Sequence, residues 1–287
     1  MKRIYHCLLP ALVLALLLFS AAAAENGFTY EVLPDGTARI TGYRGDDRQL
    51  TVPAELGGHP VSGIGEYAVE CPKLTRITLP DTLINVNALS LSLCYSLEEI
   101  RVSPDNPALA AIDGVLFGKA DKKLIRFPAE SAVTEYAIPE GIEIIGDYAF
   151  GSCEKLKSIT IPSTVTYIGE DAFFADYGLT QMVIPGNVRA IGARAFWCCE
   201  FLKTVDILDG VESIGDEAFA WSFGLEKVSI PASVTRIGEG AFDYTSSDTV
   251  VIVPRGSYAA GYFKDYDSEE WYGQYTYPDA NDWLTGN

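Results

Sequence analysis

The sequence predicts a repeat solenoid, and three spacings carry the prediction. Ile-Gly pairs recur every 23 residues, at Ile145-Gly146, Ile168-Gly169, Ile191-Gly192, Ile214-Gly215 and Ile237-Gly238. Ala-Phe pairs keep the same step, from Ala149-Phe150 through Ala172-Phe173, Ala195-Phe196 and Ala218-Phe219 to Ala241-Phe242. An apolar residue followed by proline closes most units, at Ile138-Pro139, Ile161-Pro162, Ile184-Pro185 and Ile230-Pro231, with Ile207-Leu208 filling that place once without proline. A leucine also recurs at Leu156, Leu179, Leu202 and Leu225. A fixed period of this length, with leucine and isoleucine in fixed columns, marks a leucine-rich-repeat solenoid. The expected architecture is a parallel β ladder of short strands, with turns and helical turns on the other side.

One unit shows how the columns work. In Ser158-Ile159-Thr160-Ile161-Pro162 the apolar residues alternate with polar ones, the period of a strand with one buried face. Proline has no N–H to give the ladder, so the strand stops there. Val165 and Ile168 return inward on the opposite wall, and Gly169 either takes a positive φ or lets a neighbouring backbone close in. Ala172-Phe173 then supplies a small residue where the chain turns and an aromatic for the centre of the coil. A single coil cannot offset the entropy of ordering its own residues, so the fold needs stacked neighbours and capped ends.

The string Ile-Pro…Val…Ile-Gly…Ala-Phe…Cys…Leu…Ile resembles the BspA-type leucine-rich repeat of bacterial surface and secreted proteins, over roughly residues 28–254. The resemblance implies a cell-surface or secreted binding protein, often an adhesin for host proteins or other cells. It brings no catalytic residues with it.

In chain order, Lys2 and Arg3 precede an apolar run, Leu8 to Phe19, and the small residues Ala21 to Ala24. This pattern is a secretory signal peptide over residues 1–24, cut after Ala24. Its removal leaves 19 basic against 39 acidic residues, one histidine and five cysteines. Such acidity argues against nucleic acid and anionic membranes as partners. No second long apolar run follows, so no membrane span is expected in the mature chain, which is read as a monomer. Residues 25–50 contain an opening hairpin, Phe28 to Val32 and Thr37 to Ile40 around the turn Pro34-Asp35-Gly36, expected to cap the first coil. The solenoid spans 51–254. Its period breaks at a variant unit, 103–137, where a hairpin turning near Gly118–Lys122 rejoins the ladder. Residues 255–287 lose the pattern and are rich in aromatics, among them Tyr258, Tyr262, Phe263, Trp271, Tyr272 and Trp283, which fits a C-terminal cap or tail.

Chemistry is thinly represented. His59 is the one histidine of the mature chain, in a Gly-Gly-His-Pro loop, too little for a Ser-His or Cys-His mechanism. The absence of a Cys-x-x-Cys pair speaks against zinc. Asp265, Asp267, Glu269 and Glu270 lack the glycine of a calcium loop and read as a solvated acidic stretch. No catalytic residue, cofactor or metal is therefore expected. Cys94, Cys153 and Cys199 share a repeat column with Asp176, Ser222 and Thr245. Cys153 and Cys199 lie two coils apart, about 10 Å, beyond disulfide reach. Cys71 and Cys94 lie in adjacent coils and remain the plausible pair.

What is left is surface. The outward strand columns are mixed: Arg76, Glu99, Ser158, Gln181, Thr204 and Lys227 in one, Thr78, Arg101, Thr160, Val183, Asp206 and Ser229 in the next. Large aromatics follow each Ala-Phe step: Phe174, Tyr177, Trp197, Phe201, Trp221, Phe223 and Tyr244. They are expected to line one edge over several coils, either as lids packed on the loop layer or as a ridge that binds an extracellular protein or glycan. The sequence thus points to a secreted or cell-surface binding protein without catalysis. The alternatives are a glycan-active enzyme on a solenoid body and a structural surface-layer element.

Overall fold

The computed structural model describes residues 23–265 and 274–276. The apolar run Leu8 to Phe19, the acids Asp267, Glu269 and Glu270, and Tyr266, Trp271, Tyr272, Tyr277 and Trp283 lie outside the described residues.

The chain winds as a β-solenoid whose coils are joined by three columns of hydrogen bonds. The first is the strand wall. Gln49–Thr51, Arg76–Leu79 and Glu99–Val102 pair in parallel. Glu135–Ala137 pairs with Ser158–Thr160. Gln181–Ile184, Thr204–Ile207, Lys227–Ser229, Val250–Ile252 and Gln274–Thr276 follow in one parallel sheet. Gln181 faces Thr204, so one coil is 23 residues. Met182 and Ile184 are buried while Gln181 and Val183 are exposed, the alternation the sequence carries. The second column stands on the opposite wall. There Lys123–Arg126 starts a parallel run through Ile144–Ile145, Tyr167–Ile168, Ala190–Ile191, Ser213–Ile214 and Arg236–Ile237.

The third column runs through the loop layer. Phe150, Phe173, Phe196 and Phe219 each donate their N–H to the carbonyl one coil ahead, on Ala172, Ala195, Ala218 and Ala241, at 2.7–2.8 Å. Two residues per coil take left-handed conformations to aim these groups along the solenoid axis. One set is Tyr148, Asp171, Arg194 and Glu217, with φ of 55°, 53°, 52° and 54°. The other is Ser152, Ala175, Cys198, Trp221 and Tyr244, with φ between 50° and 62°. Each costs about 1–2 kcal/mol in a residue with a Cβ, and the coil-to-coil hydrogen bonds and burial offset it. Regular helix is correspondingly scarce in this layer. Among the described residues one 3-10 turn, Ala88–Leu91, forms where Asn87 replaces the glycine and caps the turn, its Oδ1 accepting from the Ser90 N–H at 3.0 Å.

The glycine column is there for close approach rather than positive φ. A Cβ on Gly192 would lie 2.6 Å from the Gly169 carbonyl carbon, and one on Gly215 would lie 2.5 Å from the Ala193 nitrogen. Successive coils can sit at this separation only without side chains there. The same separation stacks the central phenylalanines. Phe150, Phe173, Phe196, Phe219 and Phe242 are fully buried. Their centroids are 5.0, 4.7, 5.1 and 5.3 Å apart, and neighbouring rings are tilted by 11° or less. Phe127 extends the stack at one end at 5.4 Å. At the other, Phe263 on the helix Tyr258–Asp265 abuts Phe242 at 5.3 Å and closes the core.

Two departures from regular coiling shape the N-terminal half. Phe28–Val32 pairs antiparallel with Ala38–Arg44, which also pairs in parallel with His59–Ile64. That second arm is thus both half of a hairpin and the first rung of the array. The variant unit is a three-stranded meander of Leu109–Ile112, Val115–Gly118 and Lys123–Arg126. The hairpin near Gly118–Lys122 and the strand rejoining the ladder are present. A tighter turn at Asp113-Gly114, with φ of 51° and 81°, adds the first strand. The meander divides the interior: Val115, Phe117 and Leu124 pack into the C-terminal core, Leu116 and Ile125 into the N-terminal one. Arg126, 1% exposed, sits where the loop-layer column begins and lacks a preceding coil. Its Nη1 donates to the carbonyls of Tyr148 and Gly151 at 2.9 and 3.1 Å, and the Gly151 bond stands where regular coils use a backbone N–H, as Ser152 does to the Phe174 carbonyl at 2.8 Å.

The cysteine column behaves as a ladder of small polar groups. Cys94, Cys199 and Ser222 point back at the carbonyls of Val69, Phe173 and Phe196, at 3.4, 3.1 and 2.9 Å. Cys71 and Cys94 are separate free thiols, Cys71 lying 3.3 Å from the Asp47 carbonyl, and Cys153, Cys198 and Cys199 are free as well. Asp176 occupies the same column, fully buried. Its Oδ1 accepts from the N–H groups of Gly178 and Leu179 at 2.8 and 3.1 Å, while Oδ2 has no hydrogen-bond partner among the described residues. Burial pushes its pKa up to about 7, the two N–H groups opposing the shift.

Two predictions follow from this packing. Phe196→Ala, which empties the middle of the ring stack, should cost about 3–5 kcal/mol in urea unfolding. Lys203→Ala removes only an exposed ion pair to Glu226, 2.9 Å long, and should change stability by less than about 0.5 kcal/mol. For Asp176 the folded pKa lies above the ordinary 3.8, so the fold favours the neutral acid. Its contribution is fully present below about pH 4 and is lost as pH rises to about 7. Asp176→Asn should therefore gain on the wild type across that window, by up to about 4 kcal/mol, and track it above pH 7. Unfolding midpoints of the two proteins at pH 4.5 and pH 8 measure the difference; parallel profiles would remove the buried acid from the account.

Candidate partner-binding ridge

The loop-layer geometry decides where the predicted aromatics go. Phe174 and Trp197 directly follow a core phenylalanine. Trp221 and Tyr244 stand two residues past theirs, at the left-handed position. All four side chains emerge on the same edge. Phe174 and Trp197 stack at 5.0 Å and 7°, Trp197 and Trp221 meet at 6.1 Å and 41°, and Trp221 and Tyr244 at 4.3 Å and 32°. Phe223 joins Trp221 edge-on at 5.8 Å. A second aromatic column therefore runs parallel to the buried one, outside it.

Tyr148 extends this column, 5.6 Å from Phe174. The sequence reading missed it because it precedes its Ala-Phe pair instead of following it. Only the left-handed turn at Tyr148 brings it into line. Tyr177 and Phe201 stand on the next turn. The Tyr177 hydroxyl lies 3.9 Å from the Cys198 Sγ, and Phe201 is 57% exposed. Trp221 and Phe223 are 38% and 50% exposed, while Phe174, Tyr177, Trp197 and Tyr244 are half-buried. The ridge is thus partly a lid, since its inner ring surfaces cover the loop layer, and partly open to solvent at its C-terminal end.

Its polar surroundings are held neutral or already paired. Burial, a bond to Cys198 and the acids Glu200 and Glu154 raise the Tyr177 pKa to about 12. Burial likewise raises Cys198, so it is a protonated thiol and a poor nucleophile near neutral pH. Arg194 is clamped by Asp171, Nε to Oδ1 and Nη2 to Oδ2 both at 3.0 Å, and by Glu170. On the strand wall, Arg76 and Arg101 both hold Glu99 at 2.6 Å and keep its carboxyl below the usual range. His59 places Nδ1 2.9 Å from the Gly36 carbonyl. Among the described residues no three His, Cys, Asp or Glu side chains are grouped to hold a metal ion, and no helix is long and apolar enough to cross a membrane. The arrangement is suited to apolar contact.

Comparison with known proteins places the chain. Comparison with curated proteins finds no match. Among solved structures it is similar to a leucine-rich repeat protein from Eubacterium ventriosum, with 19% identity and a TM-score of 0.54 over 82% of this chain and 86% of that one. It is also similar to the pneumococcal vaccine antigen PcpA, with 14% identity and a TM-score of 0.52 over 90% of this chain and 99% of that one. At these identities the likeness shows the shared fold. The family model for the BspA type leucine rich repeat region matches residues 59–130 and 126–248, in 6 copies. With its period, its paired ladders and its ring stack, the chain belongs to the BspA-type leucine-rich-repeat family.

Proposed function

We infer that this chain is a secreted or cell-surface binding protein, without catalysis, that recognises another extracellular protein through the outer aromatic column. One observation carries the reading: Tyr148, Phe174, Trp197, Trp221 and Tyr244 form a continuous row of rings that the fold leaves half-exposed. Contiguous aromatic surface is costly in water and is the usual centre of a protein interface. The geometry favours protein over glycan. A sugar stacks on an open ring face, yet Phe174 and Trp197 lie face to face and present their edges. Glycan stacking has room only at Trp221 and Phe223, where the rings tilt apart. The N-terminal signal-peptide pattern and the family's surface and secreted members support an extracellular location. Adhesion is the form of recognition that fits such a location.

The test uses residues 25–287, wild type and Trp197→Ser/Trp221→Ser, on a mixed array of host extracellular-matrix proteins and soluble glycans. The double variant should stay folded, with a fall in stability of no more than about 1–2 kcal/mol, and lose at least about tenfold in affinity for a protein spot. A fall in stability of several kcal/mol would make these rings lids. Unchanged binding would move the interface elsewhere, and binding confined to glycans would overturn the choice of partner.

A further inference from the structure

The second wall contains a gap. Gly63 bridges Asn85 in parallel, as one rung to the next. The following rung is missing, because the chain turns into the meander instead of completing a coil. A groove of about 830 Å³ opens there, lined in part by Ile84, Val86, Leu109 and Ile125. This is the size of a pocket for a short peptide or small ligand.

The groove's polar groups say what fits it. Its charged side chains are already engaged: Arg39 with Glu31, Asp121 with Lys123 at 3.5 Å, and Glu66 with the Asn87 Nδ2 at 3.2 Å. What remains open is backbone. In regular coils the Glu143 and Ile145 carbonyls accept from the Thr166 and Gly169 N–H groups of the next rung, both at 2.8 Å. The matching carbonyls of Ile84 and Val86, and the Val86 N–H, have no partner among the described residues. Ile84 is 46% exposed beside them. An open strand edge over an apolar floor is the arrangement that accepts an added strand.

We propose that this groove binds an extended, uncharged peptide segment, which enters parallel to Ile84–Asn87 and supplies the missing rung. The site is separate from the aromatic column and does not depend on it. The occupant's N–H groups donate to the Ile84 and Val86 carbonyls, and one of its carbonyls accepts from the Val86 N–H. Its apolar side chains lie against Ile84, Val86 and Ile125.

The chain's own rungs provide a probe with the right pattern. A synthetic peptide of residues 163–169, Ser-Thr-Val-Thr-Tyr-Ile-Gly, capped at both ends and so uncharged, pairs with Ile144–Ile145 in the intact array through Tyr167 and Ile168. Titrated into the labelled protein, it should saturate and slow hydrogen exchange of the Val86 amide. The same peptide N-methylated at the positions of Thr166 and Gly169 should bind at least about tenfold more weakly. Ile84→Asp should abolish binding with its melting temperature retained, and Trp197→Ser/Trp221→Ser should bind the peptide as the wild type does. Absence of saturation, an unprotected Val86 amide, or equal binding of the N-methylated peptide would overturn the proposal.

Discussion

The separation between successive coils is the constraint on which the rest of this structure depends. It is fixed from three directions at once. The Gly192 and Gly215 backbones leave no space for a Cβ between coils. The central phenylalanines stack at 4.7–5.3 Å. The loop-layer amides reach one coil ahead at 2.7–2.8 Å. Loosening any one would break the geometry of the other two, since aromatic stacking and hydrogen bonds both decay within a fraction of an ångström to an ångström. That interdependence accounts for a backbone that tolerates two left-handed residues in nearly every coil. The strain is local, while the contacts that offset it run the length of the array.

A one-dimensional stack also needs treatment wherever it begins, ends or breaks. The helix Tyr258–Asp265 lays Phe263 on the last ring. Arg126 supplies to the Gly151 carbonyl the donor that the first loop-layer coil lacks, and its burial against the Tyr148 ring follows from that task. The meander serves both cores by pointing alternate side chains to each side, and the groove is the consequence on the second wall. The proposed peptide site and the structural break are one feature.

The sequence made the repeating part legible, because a column seen five times is constrained five times. The strand alternation around Met182 and Ile184, the buried phenylalanines and the free Cys153 and Cys199 could all be read in that way, whereas Cys71 and Cys94, left open as a pair, are separate thiols. What could not be read lies where local propensity and tertiary demand disagree. Trp221, Tyr244 and Arg194 are poor choices for a left-handed backbone, and only coil-to-coil hydrogen bonding places them there. The residues after each Ala-Phe pair can be picked out from the sequence, whereas Tyr148 meets Phe174 through a turn the sequence does not announce. In the variant unit, Asp113-Gly114 is a hairpin signal, but it falls where the period breaks and no neighbouring repeat column sets its register. Groups satisfied once only, such as Arg126, offer no column to detect.

The outer rings inherit their spacing from the inner ones, so the surface on this edge is rigid in one direction and variable in composition. Exchange of Trp for Phe or Tyr from coil to coil changes the surface without touching the interior. Site-resolved hydrogen exchange tests the common cause most directly, at the Phe173, Phe196 and Phe219 amides of the native protein. If the coil-to-coil column holds the array together, these loop-layer amides exchange only by unfolding of the array, as slowly as Val205 on the strand wall. Exchange at the rate of exposed turns, with Val205 still protected, would show that the strand walls alone carry the fold.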